Sequence, residues 1–237
     1  MKTLSYITIL TMVLVFNYSC DSSDGEVNYK TIKDIDNNEY RTVKIGKQTW
    51  MADNLATTRY RNGDNIEYYS NSGLGIGKYF TNKKDPIKYG KLYNWYALND
   101  SRGLAPKGWH VANDKDWKEL EDYLIKNGYN FDGTTTENKI AKALAAEYGW
   151  PNSPDCAIGS IANDLTLNNK SGFCGLPGGA GHEDGTIWEY GDLIAWWSAS
   201  ETDKLNANEK ILYFEYWFLS TYETSKLDFN YVRCVKD

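Results

Sequence analysis

Histidine is nearly absent from this chain, cysteine is sparse, and basic residues never cluster. There are two histidines and four cysteines in 237 residues. Neither His110 nor His182 has a ligand at zinc-binding spacing, and no two cysteines lie close together, so the pattern offers no metal site of that kind. The formal charge is −6 and no Lys/Arg run interrupts it, which argues against nucleic acid, because phosphate binding needs clustered positive charge. No serine stands in a G-x-S-x-G elbow, and no internal repeat is visible. Long apolar runs are missing too, with one exception. After Met1-Lys2, the run LSYITILTMVLVF (4–16) is too short for a comfortable membrane span and reads as the core of a secretory signal, residues 1–19.

Ser19 directly before Cys20 looks like a bacterial lipoprotein cleavage site, so Cys20 is the expected lipidated first residue of the mature chain. Removal of Lys2 with the leader takes the formal charge from −6 to −7. The polar, acidic stretch CDSSDGEVNYK suits a tether, and residues 20–33 are read as one. Asp21 and Asp24 resemble acidic export tags. The expectation is a protein exported and lipid-anchored to the cell envelope at the outer membrane, exposed at the surface, with the membrane as a partner through its N-terminal lipid.

Residues 34–237 are enough for one domain with a real core. Aromatic content is 15%, with 19 Tyr and 9 Trp, which predicts tyrosine-rich surface as well as aromatic core. Asp36-Asn37-Asn38 is a turn signal, and the alternation of YRTVKIG followed by Gly46-Lys47 and QTWM predicts a hairpin. Residues 59–88 show little periodicity and read as long loops. GWHV predicts a strand. Asn113 or Asp114 then caps a helix with Trp117, Leu120, Tyr123 and Leu124 on one face, ending at Gly128. A second helix is expected from a Thr134/Glu137 capping box and the spacing of Ile140, Leu144 and Tyr148. Beyond Trp150 the expected strands are GFCGLPGG, IAWWSAS, KILYFEYWFLS and NYVRCVKD. The fold class is therefore α+β, two helices on mainly antiparallel sheets with long loops.

Little of the chain reads as catalytic. LPGGAGHEDGT (176–186) lacks the following helix that a phosphate cradle requires, and His182 within it reads as an exposed loop residue. Asp114 and Asp116 complement the start of the first helix, while Glu119, Glu121 and Asp122 line its wet face. No cofactor is implied. Calcium is the one metal the composition tolerates, with oxygens offered by ALNDSRG (97–103) but no EF-hand spacing. Three cysteines besides Cys20 allow three pairings, of which Cys156 with Cys174 closes a short loop in loop-rich sequence. The segment from Lys210 to Tyr222 is more suggestive. A period-two strand cannot bury all of its aromatics on one face, so Tyr213, Tyr216, Trp217 and Tyr222 are the expected ligand-contact residues, with the 59–88 loops beside them.

The blocks TVKIGKQTWMADNL, GKLYNWYAL, LAPKGWHVANDKDWKEL, SGFCGLPGG, WWSAS and VRCVKD occur in the order found in the Fibrobacter succinogenes major paralogous domain of secreted proteins and lipoproteins in Bacteroidetes-type bacteria. That family is in turn similar to the formylglycine-generating, sulfatase-modifying group, with VANDKDWKEL and YVRC at the matching places. Both resemblances imply a C-type-lectin-like fold. They make Trp50, Trp95, Trp109, His110, Trp117, Trp196, Trp197, Arg233 and Cys234 architectural. Many members carry a cysteine where Ala105 stands here, so the bridge that the family implies to Cys234 cannot form. The copper-binding cysteine pair of the oxidases is not recognisable, and their activity is not carried over. The function expected is a non-enzymatic cell-surface lipoprotein that recognises a glycan or a protein. The alternatives are an enzyme using Cys174 or Cys234, or a structural component of an envelope complex.

Overall fold

Local signals that the chain states twice, by turn residues and by alternation, become the first sheet. The computed structural model describes residues 27–70, 77–81 and 89–237. The signal segment, the lipidation site Cys20 and parts of the 59–88 loops lie outside the described residues. Strands β1 (Lys30–Lys33) and β2 (Glu39–Ile45) flank the Asp36-Asn37-Asn38 turn, where Asn37 is left-handed at φ 64°; Asp34 accepts the backbone N–H groups of Asp36 and Asn38. β1 falls inside the stretch read as tether, so the folded body starts before Asp34. Gly46, at φ 61°, then turns β2 into β3 (Gln48–Met51), where a Cβ would meet the Tyr123 ring.

The next elements are β4 (Glu67–Tyr68), β5 (Lys78–Thr81), β6 (Lys91–Asn94), the single turn α1 (Trp95–Leu98) and β7 (Trp109–Val111). Helix α2 (Asp114–Lys126) starts where expected. Asn113 accepts the N–H groups of Lys115 and Asp116, the Asp116 carboxylate accepts the N–H of Asn113, and Gly128 follows the end of the helix at φ 74°. Trp117, Leu120 and Leu124 are buried along one face, and Tyr123 lies half-buried beside them.

The second long helix does not form. Only one turn, α3 (Ala141–Leu144), is helical; Glu137 is left-handed at φ 62°, and the Thr134 hydroxyl bonds Asp132. Competing partners explain it. The Asn130 amide donates to the carbonyls of Thr136 and Glu137, Ala141 N–H bonds Trp217, and Ala145 leaves the helix to bridge Gly175. Local capping potential loses to tertiary hydrogen bonds that a one-dimensional pattern cannot display.

The remaining strands are β8 (Ala180–Gly181), β9 (Ile187–Trp188), β10 (Leu193–Glu201), β11 (Asn206–Tyr213), β12 (Ser220–Ser225), β13 (Phe229–Asn230) and β14 (Cys234–Lys236). GFCGLPGG is irregular apart from bridges at Gly175 and Gly179, and KILYFEYWFLS leaves its strand at Tyr213. Three sheets result, ordered β1-β2-β3-β14-β7, β10-β11-β12 and β4-β5-β6-β13-β8-β9. Pairing is antiparallel between all of these strands except the parallel β4–β5 pair. The protein is thus α+β, with few helices beside predominantly antiparallel sheet.

An aromatic core joins the sheets to α2. Trp117 packs at 4.9 Å from Trp50, 5.8 Å from Phe173 and 5.9 Å from Trp196. Trp95, Trp109, Trp197 and Cys234 belong to a second buried cluster. Between the two sits Arg233, fully buried. Its Nε donates to Asn54 Oδ1 at 2.7 Å and its Nη1 to the carbonyls of Met51 (2.8 Å) and Phe173 (2.9 Å). Its Nη2 donates to the carbonyl of Cys174 at 3.2 Å. The guanidinium also lies 4.5 Å from the Phe173 ring. Burial pulls its pKa down to about 10, which still leaves it charged at neutral pH. No helix among the described residues is long and apolar enough to cross a membrane.

Candidate ligand-binding face

The aromatic segment departs from β11 as a loop and is held there by backbone bonds. Phe214 and Tyr216 carbonyls accept the N–H groups of Ala162 (3.0 Å) and Ile161 (3.3 Å), and the Trp217 carbonyl accepts that of Ala141 (3.2 Å). The Asn138 side chain clasps Leu219 through both its N–H and its C=O. On this fixed support the rings contact one another in sequence. Tyr213 lies 5.2 Å from Tyr216, Tyr216 stacks on Phe218 at 5.0 Å with an 11° interplanar angle, and Trp217 meets the Phe218 edge at 5.8 Å. Tyr216 and Trp217 keep 37% and 40% of their surface in solvent, which leaves part of each ring within reach of a ligand. Tyr222 is exposed further along the sheet, on β12 opposite Glu209, and does not share this stack. The structure therefore gathers Tyr213, Tyr216 and Trp217 and leaves Tyr222 apart, with Tyr213 at the end of β11 and Tyr216 and Trp217 on the loop that follows it.

A cleft of about 280 Å³ is lined by Tyr129, Phe131, Lys142, Asn163, Asn168 and Lys170 among others, and Lys142 follows directly on Ala141, whose N–H bonds the Trp217 carbonyl. Phe131 lies across Gly159, where φ is +88° and a Cβ would collide with the ring. Lys142, on α3, is buried and donates to the carbonyls of Asp164 (2.6 Å) and Ile161 (3.4 Å) and to Asn168 Oδ1 (3.3 Å). Sequence reasoning missed this cleft. A lysine inside an expected amphipathic helix reads as solvent-facing, and the 150–170 segment carries no motif. Both were placed only by chain crossings.

The other expected sites are dispersed. The Cys156–Cys174 bridge is not formed: Cys156 sits in a half-exposed loop while Cys174 is buried, with its sulfur 3.7 Å from the Arg41 guanidinium. Cys234 is buried between sheets, and burial pushes its thiol far above the ordinary range. His110 is bonded through Nδ1 to Asp237 (2.8 Å) and through Nε2 to Asp116 (3.0 Å); burial opposes its charge, but the two carboxylates hold its pKa above the usual value. His182 stacks against Trp188 at 5.8 Å in a β8–β9 hairpin, so the 176–186 glycines build a turn and no helix start. In the 97–103 loop both Asp100 oxygens are engaged by Arg102. Among the described residues, no group of three His, Cys, Asp or Glu is placed to hold a metal.

Buried tryptophans and an arginine clamp at the final strand describe a scaffold, while the exposed aromatic loop and the cleft describe a surface. Comparison with known proteins agrees with the scaffold. The model of the Fibrobacter succinogenes major domain matches residues 43–236, which takes in every strand from β3 to β14 and all three helices. No curated protein and no solved structure matches the chain. With the match running from within β2 to one residue short of the C-terminus, the chain belongs to the Fibrobacter succinogenes major domain family.

Proposed function

We propose that the chain is an exported, lipid-anchored envelope protein whose C-type-lectin-like domain recognises a glycan and catalyses no reaction on it. The observation that carries the reading is the pinned aromatic loop. Tyr216 and Trp217 are partly exposed on a backbone fixed by hydrogen bonds to Ala141, Ile161 and Ala162, so little backbone entropy is lost when a sugar ring packs on them. The first and last strands share one sheet, as the lectin-like reading requires. Against a cysteine enzyme stands the burial of Cys174 and Cys234, which leaves neither thiol open to a substrate.

A glycan array probed with the purified domain is the direct test. Binding to at least one neutral or acidic oligosaccharide is expected, and Trp217→Ala together with Tyr216→Ala should weaken it by about tenfold or more at unchanged folding. An array without signal, or binding that the double variant keeps, rejects the reading. The anchor is tested separately. Cys20→Ser should move the protein from the membrane pellet to the soluble fraction of its host, and a variant that stays in the pellet excludes lipidation at Cys20.

A further inference from the structure

Four lysines are buried among the described residues: Lys78, Lys142, Lys210 and Lys226. Three of them reach a carboxylate, Lys78 to Glu67 at 3.6 Å, Lys210 to Glu121 at 3.1 Å and Lys226 to Glu201 at 2.7 Å. Lys142 is the exception. Its ammonium meets only neutral oxygens, and two of those three contacts are long. The carboxylate of Asp164, the residue that offers its carbonyl, is turned to the N–H and hydroxyl of Thr166. A buried charge without a counter-charge is unfavourable, and proteins ordinarily pair it or leave it in water. Here it lines a cleft open to solvent.

We infer that this cleft is a subsite for the carboxylate of an acidic sugar residue, with Lys142 supplying the missing counter-charge and Phe131 a ring face for the sugar. The assignment rests on the glycan-recognition reading and specifies a ligand class for the face. Size fits, since about 280 Å³ lies at the small end of ligand pockets and suits a sugar ring rather than a folded peptide. Polarity fits as well. Asn163 and Lys170 stand at the wall, and the exposed Ile158 and Leu167 form an apolar rim. Burial, only partly offset by Asp164, pulls the free Lys142 ammonium down to about 8, and an arriving carboxylate reverses that by favouring the charged form.

Trigalacturonate is the probe and maltotriose its neutral counterpart, both measured by calorimetry. At pH 7 the acidic trisaccharide should bind about tenfold or more tighter than the neutral one. Its affinity should fall about sevenfold or more between pH 7 and pH 9.5, because Lys142, at about 8 in the free protein, must be protonated to pair the carboxylate. Glu147, Lys170 and Tyr129 also line the cleft and Asp164 acts on Lys142 from beside it, so the profile is repeated in Lys142→Met, where the preference and the pH step should both disappear. If that variant does not fold, lysine-selective NMR of the wild type decides: trigalacturonate must raise the Lys142 titration midpoint. Equal affinity for the two trisaccharides, a flat pH profile, or an unmoved midpoint overturns the subsite. Maltotriose binding that depends on Trp217 but shows no acidic preference overturns the subsite alone and leaves the aromatic loop standing. Absence of binding to either overturns the subsite, and together with a silent glycan array it overturns the recognition reading as well.

Discussion

Arg233→Ala should cost about 4 kcal/mol or more of folding stability, enough to leave a protein of ordinary marginal stability largely unfolded near physiological temperature. The reason is the number of groups it satisfies. One guanidinium donates to the carbonyls of Met51, Phe173 and Cys174 and to Asn54 Oδ1, tying the end of β3 and the 173–174 segment to β14 in a dry interior. Removing it takes a donor from three buried carbonyls, each loss costing about 1–3 kcal/mol where the group is left unsatisfied, and vacates the space between Phe173 and Trp196. Asn54 suffers less, because its Oδ1 still accepts from Trp196 Nε1 at 2.8 Å. Arg233→Met separates the two contributions by keeping volume while losing donors, and it should recover only a minor part. Urea denaturation followed by tryptophan fluorescence measures both. A midpoint for Arg233→Ala within experimental error of wild type would show that the clamp is not what holds these segments together.

The second large effect is expected at Trp117, where Trp117→Ala should cost about 3–5 kcal/mol. The indole is fully buried, makes ring contacts with Trp50, Phe173 and Trp196, and is the anchor of α2 on the sheets. Alanine leaves a cavity that three rigid aromatic neighbours cannot fill by small shifts. Trp117→Phe makes the contrast informative. The Trp117 Nε1–H is buried without a hydrogen-bond partner, so phenylalanine gives up no hydrogen bond and should cost only about 1–2 kcal/mol for lost volume. Equal destabilisation by the two substitutions would mean that the site depends on something other than ring packing.

These two residues also show how differently parts of the fold could be read in advance. Trp117 was legible because it stands four residues after its cap, Asn113, at a spacing that puts it on one face with Leu120 and Leu124. The cap, the acidic first turn and Gly128 lie within the helix or next to it, so interactions over a few residues decide them. Arg233 could be flagged by family resemblance, but nothing in YVRC predicts a guanidinium shared by carbonyls from residues 51, 173 and 174. The segment 134–148 misled for the complementary reason. Its capping box and spacing are sound local signals, outvoted by Asn130, Trp217 and Gly175, which lie elsewhere in the chain.

The candidate face divides along the same line. Composition alone required that some aromatics between Lys210 and Tyr222 face outward, because a strand has only two faces and one core to meet. Which of them share a platform was settled by the loop that leaves β11 at Tyr213 and is pinned to Ala141, Ile161 and Ala162. Lys142 had no sequence signature at all, since a missing counter-charge is a property of the space around an ammonium. Hairpins, the capped helix, the α+β class and the family follow from residue order, where turn chemistry and periodicity act between near neighbours. The arginine clamp, the unbridged cysteines, the aromatic platform and the lysine without an ion pair come from tertiary structure, because each depends on which distant segments cross.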